Sequence, residues 1–335
     1  MPGPEPPPSD HTRVAVVDIG TNSTRLLIAD VGPEGRIREL RRHSGVTRLG
    51  EGVDHDRRLK DAAIDRVCRA LDEYSKLIAA EAPDLATAVM TSAVRDAANG
   101  PEFAALVAER YGLDAHLIPG EDEARLTFLG ATSERDPDHR AATLVLDIGG
   151  GSTELIRGSG REAIFHVSLQ AGVVRQTERH LTSDPPTRTE LTRLRADVRA
   201  LIERHVPAAE RRLPCQAIAV AGTATSCAAI DQGLHPYDSA RVHGYHLDLT
   251  TCRLILARLA GLPLAERRRV RGLHPDRAPT IIAGVAMLIE ILEAFDLPGF
   301  ETSEHDLLRG VALDRAGFGP PVRTPPAPPV PAPGH

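Results

Sequence analysis

The sequence predicts an α/β protein made of two like domains facing a shared cleft. Three observations carry that expectation. The chain has 335 residues, which suits about two domains, each large enough to bury its own core. Strand and helix patterns alternate along it, the mark of α/β layers. And one segment occurs twice. VAVVDIGTNSTRLLIAD (14–30) and TLVLDIGGGSTELIRGS (143–159) share Asp18/Asp147, Ile19/Ile148, Gly20/Gly149, Ser23/Ser152, Thr24/Thr153 and Leu26/Leu155. Every pair keeps the same spacing, so the repeat is one unit and a direct clue to architecture.

The elements follow in order. Val14–Asp18 and Arg25–Asp30 read as strands around a Gly-Thr-Asn-Ser turn. Residues 61–80 place Ile64, Val67, Cys68, Leu71, Tyr74 and Ile78 at helical spacing. Leu85–Thr91 and Ala115–Ile118 read as strands, and 102–111 and 121–133 as helices. The pattern then restarts. Thr143–Asp147 and Thr153–Arg157 are strands around Gly149-Gly150-Gly151-Ser152. Residues 187–206 form an amphipathic helix, and Gln216–Ala221 is a strand leading into a helix from Thr223. Helices are expected around 249–260, 279–296 and 304–316. Residues 1–11 and 320–335 hold 13 of the 27 prolines. Such segments suit neither helix nor central strand, so both ends are expected as disordered tails. The domains expected between them are 12–135 and 136–302.

Composition excludes several mechanisms. There are 40 Lys+Arg against 46 Asp+Glu, for a net charge of −6, yet only Lys60 and Lys76 are lysines. Neither lies in a P-loop, a KTG or an SxxK context, which removes Walker-A and Ser–Lys chemistry. Any phosphate must then be held by backbone amides, hydroxyls, arginine and metal. Aromatics make up 3% with no Trp, too few for single-strand stacking platforms. A pI near 6.2 opposes a broadly basic nucleic-acid surface. No apolar run approaches the ~20 residues of a membrane span, and the N-terminus lacks a signal-peptide core. Cys68, Cys215, Cys227 and Cys252 are scattered without a CxxC. They read as small hydrophobes in a reducing cytosol. A cytoplasmic protein with neither nucleic-acid nor membrane partner is expected.

The repeated loops carry the chemistry. Each begins with an aspartate at the end of an apolar strand and turns through glycine and small hydroxyl residues. Glycine lets successive amides converge into an anion-binding nest. Gly20-Thr21-Asn22-Ser23 and Gly149-Gly150-Gly151-Ser152 are therefore candidate phosphate loops. A strand-end carboxylate suits a hard cation better than it suits phosphate. Asp147 is such a candidate, and Glu154, two residues past Ser152, can join it. Arg95, in Thr91–Asp96, could clamp phosphate through its planar fork. Glu121, Asp122 and Glu123 open a helix, where acids also serve as caps; one of the three could act as a base.

These segments together resemble the exopolyphosphatase / guanosine pentaphosphate phosphohydrolase family. The resemblance spans roughly 13–317. It rests on DIGTNSTRLLIAD, SAVRDA, GEDEARLTFLGA, LDIGGGSTEL, SLQAGVVR, VAGTATSCAAI, VHGYHL, LHPDRAPTIIAGVAML and LLRGV. It implies two ribonuclease H-like domains of the superfamily that includes acetate and sugar kinases, Hsp70 and actin. It also implies a last helix, about 303–317, returning to the first domain. Carried over residue by residue, it makes Glu123 the general base, with Glu121 as fallback. Asp147 and Glu154 match metal carboxylates for Mg²⁺ or Mn²⁺. Gly20–Ser23, Gly149–Ser152 and Arg95 match phosphate contacts, and Gly222-Thr223 matches the nucleotide-side loop. Longer relatives carry a further helical module, so this chain looks like the short, two-domain form. The His305-Asp306 dipeptide is not read as a remnant of that module's metal site. A homodimer is expected by the same analogy.

The implied reaction is metal-assisted hydrolysis of the terminal phosphoanhydride of inorganic polyphosphate. Guanosine pentaphosphate (pppGpp) is the nearest rival substrate, since it shares that anhydride. A small-molecule kinase and a non-enzymatic nucleotide sensor are further rivals. Arg211-Arg212 and Arg267-Arg268-Arg269 with Arg271 are candidate basic patches beside the cleft.

Overall fold

The computed structural model describes residues 11–136, 141–213 and 215–319. Apart from His11, the segments expected as tails lie outside the described residues. Two sheets organise the rest. β1 (Thr12–Ile19), β2 (Ser23–Val31), β3 (Ile37–Val46), β4 (Leu85–Met90) and β5 (Asp114–Leu117) form the first, in the order β3-β2-β1-β4-β5. The second holds β6 (Thr143–Ile148), β7 (Thr153–Ser159), β8 (Glu162–Leu169), β9 (Gln216–Val220), β10 (His246–Asp248) and β11 (Gly299–Thr302). Its order is β10-β11-β9-β6-β7-β8. Each sheet is an antiparallel three-stranded meander whose first strand has a parallel neighbour, β1 with β4 and β6 with β9. This is the ribonuclease H-like arrangement, present twice.

The sequence repeat is also a repeat of register. Asp18 pairs with Arg25 across β1–β2, and Asp147 pairs with Glu154 across β6–β7. Both turns close identically. The Gly20 N–H donates to the Ser23 carbonyl, and the Gly149 N–H to the Ser152 carbonyl, each at 3.0 Å.

Near-continuous apolar strands need both faces covered. On one face of the first sheet, Ala15, Val17, Leu26 and Ile28 pack with residues of helices Asp61–Glu81 and Gly100–Tyr111. On the other, Val14, Val16 and Leu27 pack with Leu126, Leu129, Leu308 and Val311. Helix Leu307–Arg315 therefore lies on the first sheet, against helix Gly120–Ala131. The second sheet shares its main core with helices Arg188–His205, Ala221–Asp231, Leu249–Ala260 and Ile281–Ala294. Helix Gly120–Ala131 touches both sheets. Leu126 and Leu129 face the first, while Ala124, Phe128 and Ala131 join Val145, Ile156 and Ile218 of the second. On its first turn, Glu123 is buried on the side held between the lobes, while Glu121 turns to solvent.

The structure adds strands β3, β8, β10 and β11, helices Ser92–Asp96 and Val173–His180, and several one-turn helices to the expected elements. The last helix begins at Leu307, three residues later than its spacing suggested, because Asp306 caps it by accepting from the Leu308 N–H at 3.1 Å. All four cysteines are free, and Cys68, Cys227 and Cys252 are buried. Among the described residues no helix is long and apolar enough to cross a membrane.

Candidate active site

The two repeated turns meet at the mouth of a cleft of about 800 Å³, part of it open to solvent. Three backbone regions contribute to its wall: the turn Gly20–Ser23, the turn at Gly149, Gly150 and Ser152, and Ala221–Thr223, where the expected Gly222-Thr223 loop is instead the first turn of helix Ala221–Asp231. Glu123, Asp147 and Glu154 face the same space. The elements explain the convergence. Asp147 sits near the end of β6, Glu154 near the start of β7, and Glu123 on the first turn of the helix between the sheets.

The electrostatics of these acids are unusual. Glu123 is 7% exposed and Glu154 2%. Burial pushes the Glu123 carboxyl up to about 7, against the pull of Arg95. Arg95 donates to Glu123 Oε2 at 3.1 Å and to the Ile118 carbonyl at 2.9 Å. Burial pushes Asp147 up to about 7 as well, with Arg25 opposing and Asp306 and Glu123 adding. Glu154 is driven well above the ordinary carboxylate range by burial and then by the charges of Glu123 and Asp147. Ser168 donates to its Oε1 at 2.9 Å. Burial raises Asp18 too, although Arg25 holds its Oδ2 at 2.6 Å. Asp18 Oδ1 is buried without a hydrogen-bond partner. A concentration of buried acid with raised carboxyls is a recognised mark of a functional site.

Residues 27–317 match the model of the Ppx/GppA phosphatase family. The chain is 37% identical over 319 residues to exopolyphosphatase 2 of Mycobacterium tuberculosis, covering 91% of this chain and 99% of that one. A solved family member from Aquifex aeolicus superposes with a TM-score of 0.76 at 31% identity, covering 91% of this chain and 97% of the other. A solved exopolyphosphatase from Cytophaga hutchinsonii gives 0.82 at 25% identity, over 92% and 100%. The chain belongs to the Ppx/GppA phosphatase family.

Most residues singled out from sequence meet in this cleft, but not all. Gly151 instead faces Ser92 and Thr21 beside it, next to a smaller cavity. Arg95 stands behind Glu123 and does not line the cleft. Glu121, the fallback base, is exposed and outside it. The arginine patches also need correction. Arg267 is 4% exposed, paired to Asp184 at 3.0 Å and donating to the Ala278 carbonyl at 3.0 Å, so it is part of the packing. Neither patch lines the cleft.

Sequence reasoning missed three charged groups. Arg25 bridges Asp18 and Asp306 at the cleft wall; although burial alone would lower its pKa, Asp306 and Asp18 hold it above the ordinary value. Asp306 comes from 281 residues away. Arg277 lines the cleft above Gly222, with burial and then Arg25 lowering its pKa. Arg25 stands where the second repeat has Glu154, a difference that gave it no role from sequence alone, and Arg277 lay only within the LHPDRAPTIIAGVAML segment.

His305 does acquire metal-type neighbours. Glu134, His243 and His305 bring one ligand atom each within 4.8 Å of one another. The polarity around them is wrong for a metal. Ligating imidazoles donate their second ring N–H to an acceptor. Here Arg309, which can only donate, sits 2.9 Å from His305 Nε2, and the Glu304 N–H points at His243 Nδ1 at 3.3 Å. Both rings therefore carry their proton on the side facing Glu134, and the group is a hydrogen-bonded cluster.

Proposed function

We propose that this chain is an exopolyphosphatase, hydrolysing the terminal phosphoanhydride of inorganic polyphosphate and releasing phosphate. The observation that carries the reading is the position of Glu123. It is a buried carboxylate with a raised pKa, held by Arg95, facing two opposed amide loops across one cleft. A base whose pKa lies near the working pH is suited to take a proton from water. The terminal phosphates would lie between the Gly20–Ser23 and Gly149–Ser152 loops, whose amides and hydroxyls donate to their oxygens. Arg277 adds a cation on the Gly222-Thr223 side. Glu123 orients the attacking water and accepts its proton. Such reactions depend chiefly on positioning and on charge stabilisation of this kind.

The acids fit a divalent cation. Asp18 Oδ1 is an orphaned buried oxygen, and in the same space Glu123 raises both Asp147 and Glu154, and Asp147 raises Glu154. An all-oxygen anionic donor set suits Mg²⁺ or Mn²⁺, with Asp147 and Glu154 as the residues that would hold it. When bound, it would neutralise charge on the phosphate oxygens.

The test is direct. The protein is incubated with Mg²⁺ and polyphosphate, guanosine pentaphosphate or ATP, and free phosphate is measured. Release from polyphosphate supports the reading. Release from guanosine pentaphosphate alone reassigns the substrate. ADP formation that requires an acceptor makes the protein a kinase, and no turnover makes it a sensor.

A further inference from the structure

We propose that Arg175 is a positioning residue for the phosphate-releasing reaction, tying the second phosphate loop to the facing lobe and so setting the cleft in which Glu123 works. The inference rests on the function proposed above. Arg175 lies in helix Val173–His180 of the second lobe, with its side chain 10% exposed. Its guanidinium reaches three partners at once. Nε donates to the Gly151 carbonyl at 2.9 Å, in the loop of its own lobe. Nη2 donates to Asp96 at 3.0 Å, and Nη1 pairs with Asp54, both in the first lobe. A planar fork can serve three directions together; an ammonium on a flexible stem cannot.

The partners make this more than a surface clasp. Gly151 belongs to a phosphate loop. Asp96 follows Arg95, the residue that holds Glu123. One side chain therefore spans the loop that would hold phosphate and the short helix that steadies the base. The lobes already touch here. A Cβ on Gly150 would stand 2.8 Å from Thr21 Cβ and 2.9 Å from the Asn22 nitrogen, and one on Gly151 would stand 2.7 Å from Ser92 Oγ. Thr21 and Ser92 are in turn joined at 2.8 Å. Arg175 sits beside this junction, on the wall of the small cavity that Gly151 shares with Thr21 and Asp54.

Neighbouring contacts lack that reach. Arg179 also pairs with Asp54, at 2.7 Å, but is 39% exposed and holds no loop atom. Exposed pairs of this type contribute little. Losing Arg175 would leave the Gly151 carbonyl and Asp96 without their donor at the junction and let the lobes separate slightly. Each lobe would keep its own phosphate contacts, so ground-state binding persists. Transition-state alignment, which needs both lobes in register, does not.

The experiment compares Arg175→Ala, Arg175→Lys, Asp96→Asn and Arg179→Ala with the unaltered chain, reading kcat and KM for polyphosphate and Tm for each. A misplacement near 1 Å costs on the order of a hundredfold in rate. Arg175→Ala should therefore lose roughly 10- to 100-fold in kcat with KM within about threefold. Arg175→Lys should fall between it and the unaltered chain. Asp96→Asn should lose kcat in the same direction, and the Arg175→Ala/Asp96→Asn pair should lose less than the product of the singles, as coupled sites do. Arg179→Ala should stay near the unaltered rate. If Arg175→Ala does not fold, Arg175→Lys and Asp96→Asn decide. Unaltered kcat in the folded variants, or a KM rise without a kcat loss, overturns the inference while leaving the function standing. No phosphate release by the unaltered chain overturns the function, and this inference with it.

Discussion

Replacing Glu123 by Gln separates its catalytic role from its place in the fold. The side chain is 7% exposed, and its Oε2 accepts from Arg95 at 3.1 Å. Gln has the same shape and keeps an oxygen for Arg95. It cannot take a proton from water. A positioned general base contributes roughly 10²–10⁴ in rate, or about 2.7–5.4 kcal/mol of barrier at 1.36 kcal/mol per tenfold. Stability should move the other way. Burial lifts the Glu123 pKa to about 7 despite Arg95, so the site as a whole favours the neutral form. The same charge also raises Asp147 and Glu154. A permanently neutral side chain relieves that repulsion, so at pH 8 the variant should be at least as stable as the unaltered protein. The assay pairs phosphate release from polyphosphate with calorimetric Tm, and Glu121→Gln, exposed and outside the cleft, serves as the comparison. A kcat within threefold of normal for Glu123→Gln would remove the base from the mechanism. A large fall in Tm would show that Glu123 is held for packing instead.

Two further outcomes follow from the same cleft. In Gly222→Ala the new Cβ would stand 1.2 Å from Arg277 Nη1, the far end of a flexible side chain. The arginine should swing away, leaving Tm nearly unchanged. KM for polyphosphate should rise roughly tenfold or more, the usual weight of a hydrogen bond to a charged group; an unchanged KM means Arg277 does not touch substrate. The second outcome concerns pH without divalent cations. Glu123 and Asp147 hold protons up to about pH 7 when folded, and Glu154 is shifted the same way. Between the ordinary carboxylate range and about pH 7 the folded state therefore binds more protons than the unfolded one. The stability from these groups is present below that window and is lost as pH rises through it. Tm should fall from pH 5.5 to pH 8, and Mg²⁺ should restore more of it at pH 8; equal Mg²⁺ effects at both pH values would refute the proposed cation site.

What the sequence made legible was local or repeated. β1, β2, β6, β7 and their turns are short apolar runs ended by glycine, and the repeat preserves even their pairing, Asp18 with Arg25 and Asp147 with Glu154. β3 was not legible. Its IRELRRHSGV is mostly polar and partly exposed, and it is a strand because β2 supplies its hydrogen bonds. The choice among Glu121, Asp122 and Glu123 was decidable in principle. On a helix, position 123 shares a face with Thr127, which is fully buried, while position 121 turns to solvent. Arg25 with Asp306 was not decidable, because 281 residues separate them and only the returning helix brings them together. Arg267 misled for the opposite reason. A run of arginines reads as a solvated patch, yet one member is buried against Asp184.

The cleft also explains how so acidic a site can serve a polyanion. The arginines in and behind it are largely committed to its acids: Arg25, in the wall, to Asp18 and Asp306, and Arg95, behind it, to Glu123. Arg277 forms no ion pair among the described residues, and its lowered pKa is the signature of a buried cation with little compensation. Asp147 and Glu154 have the converse deficit, with raised carboxyls. Buried charge of either sign is costly until it is paired. The two deficits line one cleft. On the proposed function, a phosphate chain would satisfy Arg277 and the loop amides, and a cation would satisfy the carboxylates. Neither alone balances the site. The low lysine count fits the same design, since amides and a planar guanidinium hold fixed directions where an ammonium would wander, and in-line attack on a terminal phosphate depends on fixed directions.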